Sequence, residues 1–149
     1  MSNVTARMVQ VHLYRRAGNG EWEFLLLRRS PDEVLYPGIW QVVTGSMEAD
    51  ETAMQAARRE LREETGVDVS ELHTELLIVP FIATFYLATD DSIHHVPVFA
   101  AEAPVGATIV LSDEHDHCEW LCYEDAWKRL VFPGHREGLR ILREYVLSV

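Results

Sequence analysis

Three glutamates crowd one side of a predicted helix, and they are the residues in this chain best suited to chemistry. Glu60, Glu63 and Glu64 lie in a segment that begins near Glu51 and stops at Gly66. At about 100° per residue, their carboxylates fall within roughly a 100° arc of the helix surface. Like charges this close repel one another, so the arrangement favours a hard divalent cation such as Mg²⁺ or Mn²⁺. Cations of this kind serve sites that cleave phosphate compounds.

The predicted helix also has an apolar side that can hold the glutamates in place. Asp50 is expected to cap its N-terminus, and Gly66, which is free to adopt a left-handed conformation, is expected to end it after Thr65. An apolar stripe adjoins the carboxylates and can pack on a sheet: Ala53, Met54, Ala57 and Leu61. The glutamates would then lie at the boundary between core and solvent. An ordinary solvated acidic helix face is the alternative.

The residues around the glutamates argue against that alternative. Gly45 to Val67 reads GSMEADETAMQAARRELREETGV. Gly45, Glu51 and the run Arg59 to Val67 resemble the Nudix box at every position that the pattern fixes. The resemblance implies an α/β fold, a Nudix α/β/α sandwich with a mixed sheet between helices. It also implies metal-dependent hydrolysis of a phosphoanhydride in a nucleotide-like substrate.

The same resemblance implies roles for individual residues. Glu60, Glu63 and Glu64 would bind Mg²⁺ or Mn²⁺ and take part in catalysis, and the Gly45 carbonyl is a further candidate ligand. Four positions would maintain the structure of the box: Gly45, Glu51, Arg59 and Gly66. From the residues alone, Glu51 is equally explained as a favourable acidic residue at a helix N-terminus.

A general base is needed as well, and it is either a box glutamate or a glutamate from a later loop. Glu114 is the candidate from the later loop, because it lies in the polar run Ser112 to His117 just before a predicted strand. A polar surface loop without catalytic function is the alternative. His115 and His117 are interpreted as ordinary loop residues.

The run Gly38 to Ser46, GIWQVVTGS, resembles bacterial pyrophosphohydrolases that act on dATP or dihydroneopterin triphosphate and release pyrophosphate. The Glu114-His115 pair before Trp120-Leu121 and Arg136 near the last helix resemble the same subfamily. Ala49-Asp50 departs from it, because many relatives have a glycine there. Other Nudix substrates therefore stay open, namely dinucleoside polyphosphates, ADP-ribose and capped RNA, as does a nucleotide-sensing module without catalysis.

Several side chains suit recognition of such a substrate. Trp40 or Tyr36 can stack on a base or pterin, and Gln41 can hydrogen-bond to its edge. Three arginines can bind phosphates in bidentate fashion, Arg28, Arg29 and Arg136. Packing in the core is the alternative for the aromatic residues, and exposed surface charge is the alternative for the arginines.

The elements that must position these residues follow from hydrophobic periodicity and turn residues. Val9, Val11 and Leu13 alternate with polar residues and predict a half-buried strand, which a turn at Gly18 to Gly20 joins to a second strand. Further strands are predicted at Trp22 to Leu27, Ile39 to Val43 (broken by Gly45), Leu76 to Leu87, His95 to Ala100, Thr108 to Leu111 and Glu119 to Cys122. Helices are predicted at Glu124 to Leu130 and about His135 to Leu147.

Composition limits the remaining choices. The chain has 149 residues, which fits one domain, 1–149, and its net charge of −11 argues against a nucleic-acid-binding surface. Cys118 and Cys122 are expected on one face of a strand as reduced thiols, which favours the cytoplasm. No membrane span, signal peptide, P-loop or G-x-S-x-G motif is recognised. Homodimers are common among Nudix proteins, but the sequence leaves the oligomeric state open.

Overall fold

The computed structural model describes residues 1–72 and 75–148, which form a mixed sheet with helices on both faces. The elements are β1 (Asn3–Thr5), β2 (Met8–Arg16), β3 (Trp22–Arg29), β4 (Trp40–Gln41), β5 (Val43–Ser46), α1 (Ala53–Thr65), β6 (Leu77–Leu87), β7 (Ser92–Glu102), β8 (His115–Leu121), α2 (Tyr123–Arg129), α3 (Pro133–Ile141) and a π-helical turn (Leu142–Val146). This architecture confirms the predicted α/β sandwich.

Strand β2 organises the sheet. It pairs with β3 and β5 in antiparallel fashion and with β7 in parallel. Strand β7 in turn pairs with β1 in parallel and with β6 in antiparallel fashion, which leaves β6 at one edge. At the other side of the sheet, β4 and β8 both pair with β3.

Two hydrophobic cores occupy the two faces of the sheet. Val9, Val11 and Leu13 pack with α1, whereas the next side chain, Tyr14, belongs to the core formed with α2 and α3. The prediction that β2 is half-buried was wrong, because α3 covers its second face. Gln10 is therefore buried as completely as its apolar neighbours.

Helix α1 begins two residues later than expected. Thr52, and not Asp50, is its N-cap: the Thr52 hydroxyl accepts a hydrogen bond from the Gln55 amide, and the Gln55 side chain accepts one from the Thr52 amide. This reciprocal pair satisfies two backbone donors at once. Gly66 ends the helix with φ 79°, as predicted.

Gly45 does not end a strand. The expected strand at 39–43 is divided into β4 and β5, and Gly45 lies inside β5, opposite Val9 of β2. The predicted strand at 108–111 is also absent. That segment packs on the end of α1, where the Val110 amide donates to the Thr65 carbonyl at 2.9 Å.

Other boundaries also moved. Cys122 lies outside β8 and precedes α2, so the two cysteines do not share a strand face, and both thiols are free. Helix α3 begins at Pro133, two residues before the predicted start at about His135, since proline needs no backbone donor at the first helical position. None of the described helices has the length and apolar character needed to cross a membrane.

Candidate active site

The three box glutamates differ in exposure although one helix carries them. Glu64 is 4% exposed and faces the sheet, whereas the side chain of Glu63 is 51% exposed. Glu60 lies between these extremes, with 13% of its side chain exposed. The predicted arc of carboxylates therefore runs from the core to the solvent.

Strand β5 approaches α1 so closely at Gly45 that any larger residue there would displace the Glu60 side chain. A Cβ atom at this position would lie 2.0 Å from Cδ of Glu60. The backbone of β5 therefore lies directly against the Glu60 carboxylate. This contact gives a physical reason for glycine at the start of the box.

Arg59 fastens the loop before α1 to the helix. Its guanidinium donates to both carboxylate oxygens of Glu51 at 2.8 Å, to the Ser46 carbonyl at 2.8 Å and to Glu60 at 2.9 Å. The hydrogen bond from Arg59 lowers the pKa of Glu51 to about 2. Arg59 also donates to Glu63 at 3.2 Å, so its single charge is shared among several carboxylates.

Glu64 and Glu114 lie together without such a cation. One carboxylate oxygen of each and a ring nitrogen of His115 all lie within 4.8 Å of one another. The ion pairs formed by the described residues include none with Glu64 or Glu114. Burial first, and then the charges of Glu114 and Glu60, raise the pKa of Glu64 to about 9.

His115 is the residue of this cluster that the sequence interpretation missed. It begins β8 and is 4% exposed, and its Nε2 lies 2.7 Å from Nε2 of Gln41. Its Nδ1 is buried and has no hydrogen-bond partner in the part of the chain that is described. Burial, followed by the charge of Arg29, lowers its pKa to about 4, so the ring is neutral at pH 7. Its place directly after Glu114 was the available signal.

Trp40 and Arg28 lie on the other face of the sheet. Trp40 packs against the core of α2 and α3, with the Arg129 guanidinium 4.8 Å from its ring centroid. Arg28 donates to both carboxylate oxygens of Asp116, at 2.9 and 3.0 Å. The structure therefore does not bring either side chain into the glutamate cluster.

The two remaining candidate arginines bind backbone carbonyls. Arg29 donates to the Leu35 carbonyl at 2.8 Å and so holds the loop between β3 and β4. Arg136 donates to the Leu130 carbonyl at 2.8 Å, just beyond the last turn of α2. Both guanidinium groups therefore have partners within the protein.

The loop that Arg29 holds contains Tyr36, which is 54% exposed and has φ 51°. Its ring meets Phe132 edge to face, with centroids 5.1 Å apart. A positive φ is unusual for a bulky residue and marks local strain. The loop adjoins the glutamates, because the Ser30 amide donates to the Glu114 carbonyl at 2.9 Å.

The donor set fits a hard divalent cation. Oxygen atoms of Glu64 and Glu114 converge with a ring nitrogen of His115, and the charge of Glu60 acts on Glu64. The buried Oε2 of Glu64 has no hydrogen-bond partner among residues 1–72 and 75–148. Carboxylate oxygen is the ligand that Mg²⁺ and Mn²⁺ prefer. A cation would offset the charge repulsion that, after burial, helps to raise the pKa of Glu64.

Comparison with known proteins agrees with this geometry. Residues 6–143 match the NUDIX domain family. The chain belongs to that family. The Nudix domain is 38% identical over 122 residues to an octanoyltransferase from Myxococcus xanthus, which covers 80% of this chain and 32% of that protein. It is 53% identical over 45 residues to dihydroneopterin triphosphate diphosphatase from Escherichia coli K12, which covers 30% and 27% of the two chains.

These two sequence alignments thus span about a third, or less, of the length of the relatives. Among solved structures, the Nudix domain superposes on E. coli dihydroneopterin triphosphate pyrophosphohydrolase with a TM-score of 0.78 and 26% identity. The match covers 97% of this chain and 99% of the other. It confirms the Nudix fold along almost the whole chain.

Proposed function

We propose that this Nudix domain is a metal-dependent pyrophosphohydrolase that cleaves a nucleoside triphosphate of the dATP type or dihydroneopterin triphosphate and releases pyrophosphate. The observation that carries the proposal is the cluster of Glu64 and Glu114, two adjoining carboxylates without a cation partner in the described structure. The 26% identity to E. coli dihydroneopterin triphosphate pyrophosphohydrolase over nearly the full chain supports the substrate class.

The box glutamates would hold the cation, Mg²⁺ or Mn²⁺, together with the Gly45 carbonyl. A bound divalent cation neutralises phosphate oxygens and makes a water molecule more acidic. Glu60 and Glu63 are the carboxylates that Arg59 already orients. Glu64 must lose its proton before it can bind a cation, so the affinity should fall as the pH is lowered.

Glu114 is the proposed general base, which takes the proton of the attacking water at its carboxylate. Glu114 is exposed and adjoins the buried Glu64, so its carboxylate can reach both solvent and substrate. The hydrogen bond from Ser30 to its backbone carbonyl fixes the start of this segment. His115, held by Gln41, lies beside it and presents a neutral ring.

For the base or pterin, we propose Tyr36 ahead of Trp40 as the stacking residue. Tyr36 is 54% exposed in the loop that meets Glu114 at Ser30, with its ring against Phe132, whereas Trp40 is partly buried against Arg129. The Gln41 amide is already paired with His115, so it would position that ring and not the substrate. Of the three arginines, Arg29 remains the candidate nearest to the cluster, since its charge acts on His115.

The test is a panel of substrates assayed with Mg²⁺ and with EDTA, with product analysis. The panel contains dATP, dihydroneopterin triphosphate, a dinucleoside polyphosphate, ADP-ribose and capped RNA. We expect Mg²⁺-dependent release of pyrophosphate from one of the first two. Turnover of one of the other three alone would refute the substrate class but retain the hydrolase, and tight binding without turnover would refute catalysis.

A matched pair of variants tests the site itself. Glu64→Gln should reduce turnover by at least about a hundredfold, the range of a lost catalytic group. Glu124→Gln is the control, because Glu124 is an exposed glutamate at the start of α2. Equal activity of the two variants would remove Glu64 from the reaction.

A further inference from the structure

An irregularity in β8 determines which way the His115 side chain points. The register of β8 against β3 pairs Arg28 with His117 but Arg29 with His115, which leaves Asp116 as an extra residue. Side chains of a regular strand alternate between the two faces, so His115 and His117 would otherwise share a face. A bulge of this kind changes the alternation and often re-aims a side chain next to an active site.

The two histidines accordingly lie on opposite faces of the sheet. The His117 ring meets Trp40 edge to face, with centroids 5.7 Å apart, beside the core formed with α2 and α3. In contrast, His115 lies beside Gln41 and close to Glu64 of helix α1. The bulge therefore gives His115 its place in the glutamate cluster.

One ring nitrogen of His115 has no partner although the residue is only 4% exposed. Its Nε2 lies 2.7 Å from the side-chain amide of Gln41, whereas Nδ1 makes no hydrogen bond to any described residue. Metal-bound histidines commonly donate their other ring N–H to an oxygen atom. The Gln41 amide offers such an oxygen after a half-turn, and Nδ1 then presents a lone pair.

This nitrogen belongs to a group that also contains an unpartnered oxygen. Oε2 of Glu64 is buried and makes no hydrogen bond within residues 1–72 and 75–148. One carboxylate oxygen of Glu64, one of Glu114 and a ring nitrogen of His115 lie within 4.8 Å of one another. Two atoms that each bind one cation at about 2.1 Å lie on the order of 3–4 Å apart. Small movements would therefore bring Glu64 and His115 to a common ion.

Burial alone does not single out His115. Three other buried histidines in the described part of the chain have an unpartnered ring nitrogen: His12, His94 and His135. None of these three joins a group of three or more possible metal ligands there. The convergence with carboxylate oxygens distinguishes His115 from them.

We propose that His115 supplies a nitrogen ligand to the cation that Glu64 holds, so that the site favours borderline cations such as Ni²⁺ and Zn²⁺ over Mg²⁺. This inference rests on the proposed function, which places a divalent cation at the box glutamates. Imidazole nitrogen suits Ni²⁺ and Zn²⁺, whereas Mg²⁺ prefers oxygen ligands. Glu114 is exposed and stays available as the general base.

Calorimetric titration of the metal-free full chain with Mg²⁺ and with Ni²⁺ measures this selectivity. Even the loss of an outer partner of a metal ligand costs about 10–100-fold in affinity, so His115→Ala should weaken Ni²⁺ binding at least about tenfold. Its Mg²⁺ affinity should change much less. His117→Ala is the matched control, because His117 is exposed and lies on the other face. Equal losses for both cations in His115→Ala would overturn the proposal.

Pulsed electron paramagnetic resonance of the Mn²⁺-loaded wild type detects a bound nitrogen directly. We expect coupling to a histidine nitrogen that persists in His117→Ala and disappears in His115→Ala. The wild-type spectrum keeps the test decisive if His115→Ala fails to fold. Bound Mn²⁺ without nitrogen coupling would overturn the nitrogen ligand and leave the proposed hydrolase intact. A wild type that binds neither Mn²⁺ nor Mg²⁺ would overturn both.

Discussion

Replacing Glu64 with glutamine is expected to stabilise the metal-free protein at neutral pH while it abolishes turnover. Burial and the neighbouring charges of Glu114 and Glu60 raise the pKa of Glu64 to about 9, from an ordinary value of 4.5. Between these two values the folded protein holds a proton that the unfolded chain releases. The stabilisation that this proton on Glu64 gives to the folded protein is therefore complete below about pH 4.5, and it is lost as the pH rises towards 9.

The magnitude follows from the size of the shift. Each pH unit between the pKa of Glu64 in the unfolded chain and the working pH lowers the free energy of unfolding by at most about 1.4 kcal/mol. At pH 7.5 this gives a ceiling of about 4 kcal/mol, and sharing of the proton with Glu114 reduces it, so a gain of roughly 2 to 4 kcal/mol is expected. Glutamine is neutral at every pH and avoids the cost.

Urea denaturation in EDTA at a series of pH values from 5 to 9 measures the effect. The free energy of unfolding of the wild type should decline relative to Glu64→Gln as the pH rises, whereas Glu124→Gln should follow the wild type. Addition of Mg²⁺ should raise the free energy of unfolding of the wild type again, because the cation binds only the folded state. It should not raise that of Glu64→Gln. Parallel pH curves for wild type and Glu64→Gln in EDTA would refute the reasoning.

Three more predictions concern other parts of the structure. Gly45→Ala should lower kcat/KM at least tenfold and weaken Mn²⁺ binding in calorimetry, because its Cβ would lie 2.0 Å from a glutamate side chain. Burial lowers the pKa of His12 to about 3 and that of His135 to about 4, so unfolding free energy should fall as the pH drops below 6.5, by up to about 1.4 kcal/mol per unit for each histidine. Gln41→Leu should lower kcat more than it raises KM, because His115 loses its hydrogen-bond partner.

Each of these predictions has its own control or contrary result. Gly18→Ala is the control and should leave activity unchanged, since no atom lies within 4 Å of its added Cβ. A normal rate in Gly45→Ala would contradict the claim that the close approach of Gly45 to Glu60 matters for activity. In the Glu64→Gln background, which removes the opposite pH dependence of Glu64, unfolding free energy that does not change between pH 6.5 and 4.5 would contradict neutral, buried histidines. Unchanged kcat and KM in Gln41→Leu would show that the Gln41–His115 hydrogen bond has no part in catalysis.

The sequence predicted those features that depend on local signals. Glu60, Glu63 and Glu64 on one helix and the stop at Gly66 follow from residue spacing and from the conformational freedom of glycine. Asp50 and Thr52 are both residue types that cap helices, and the sequence alone predicts Asp50. Only the reciprocal hydrogen bonds of Thr52 decide between them.

Features that depend on distant partners could not be predicted in this way. Gly45 belongs to a strand because β2, far away in the chain, pairs with it. His115 looked like a loop residue because its burial depends on Gln41 and on the packing of β8 against β3. The engagement of Arg28 by Asp116, 88 residues away, is likewise invisible in the sequence.

Anomalous diffraction from a crystal soaked with Mn²⁺ and a non-hydrolysable dATP analogue tests the central claim most directly. The account predicts manganese density at the carboxylates of Glu60, Glu63 and Glu64 and the Gly45 carbonyl, beside Glu114 and in contact with the phosphates of the analogue. Manganese bound at another place, with Glu64 still buried and unligated, would contradict it.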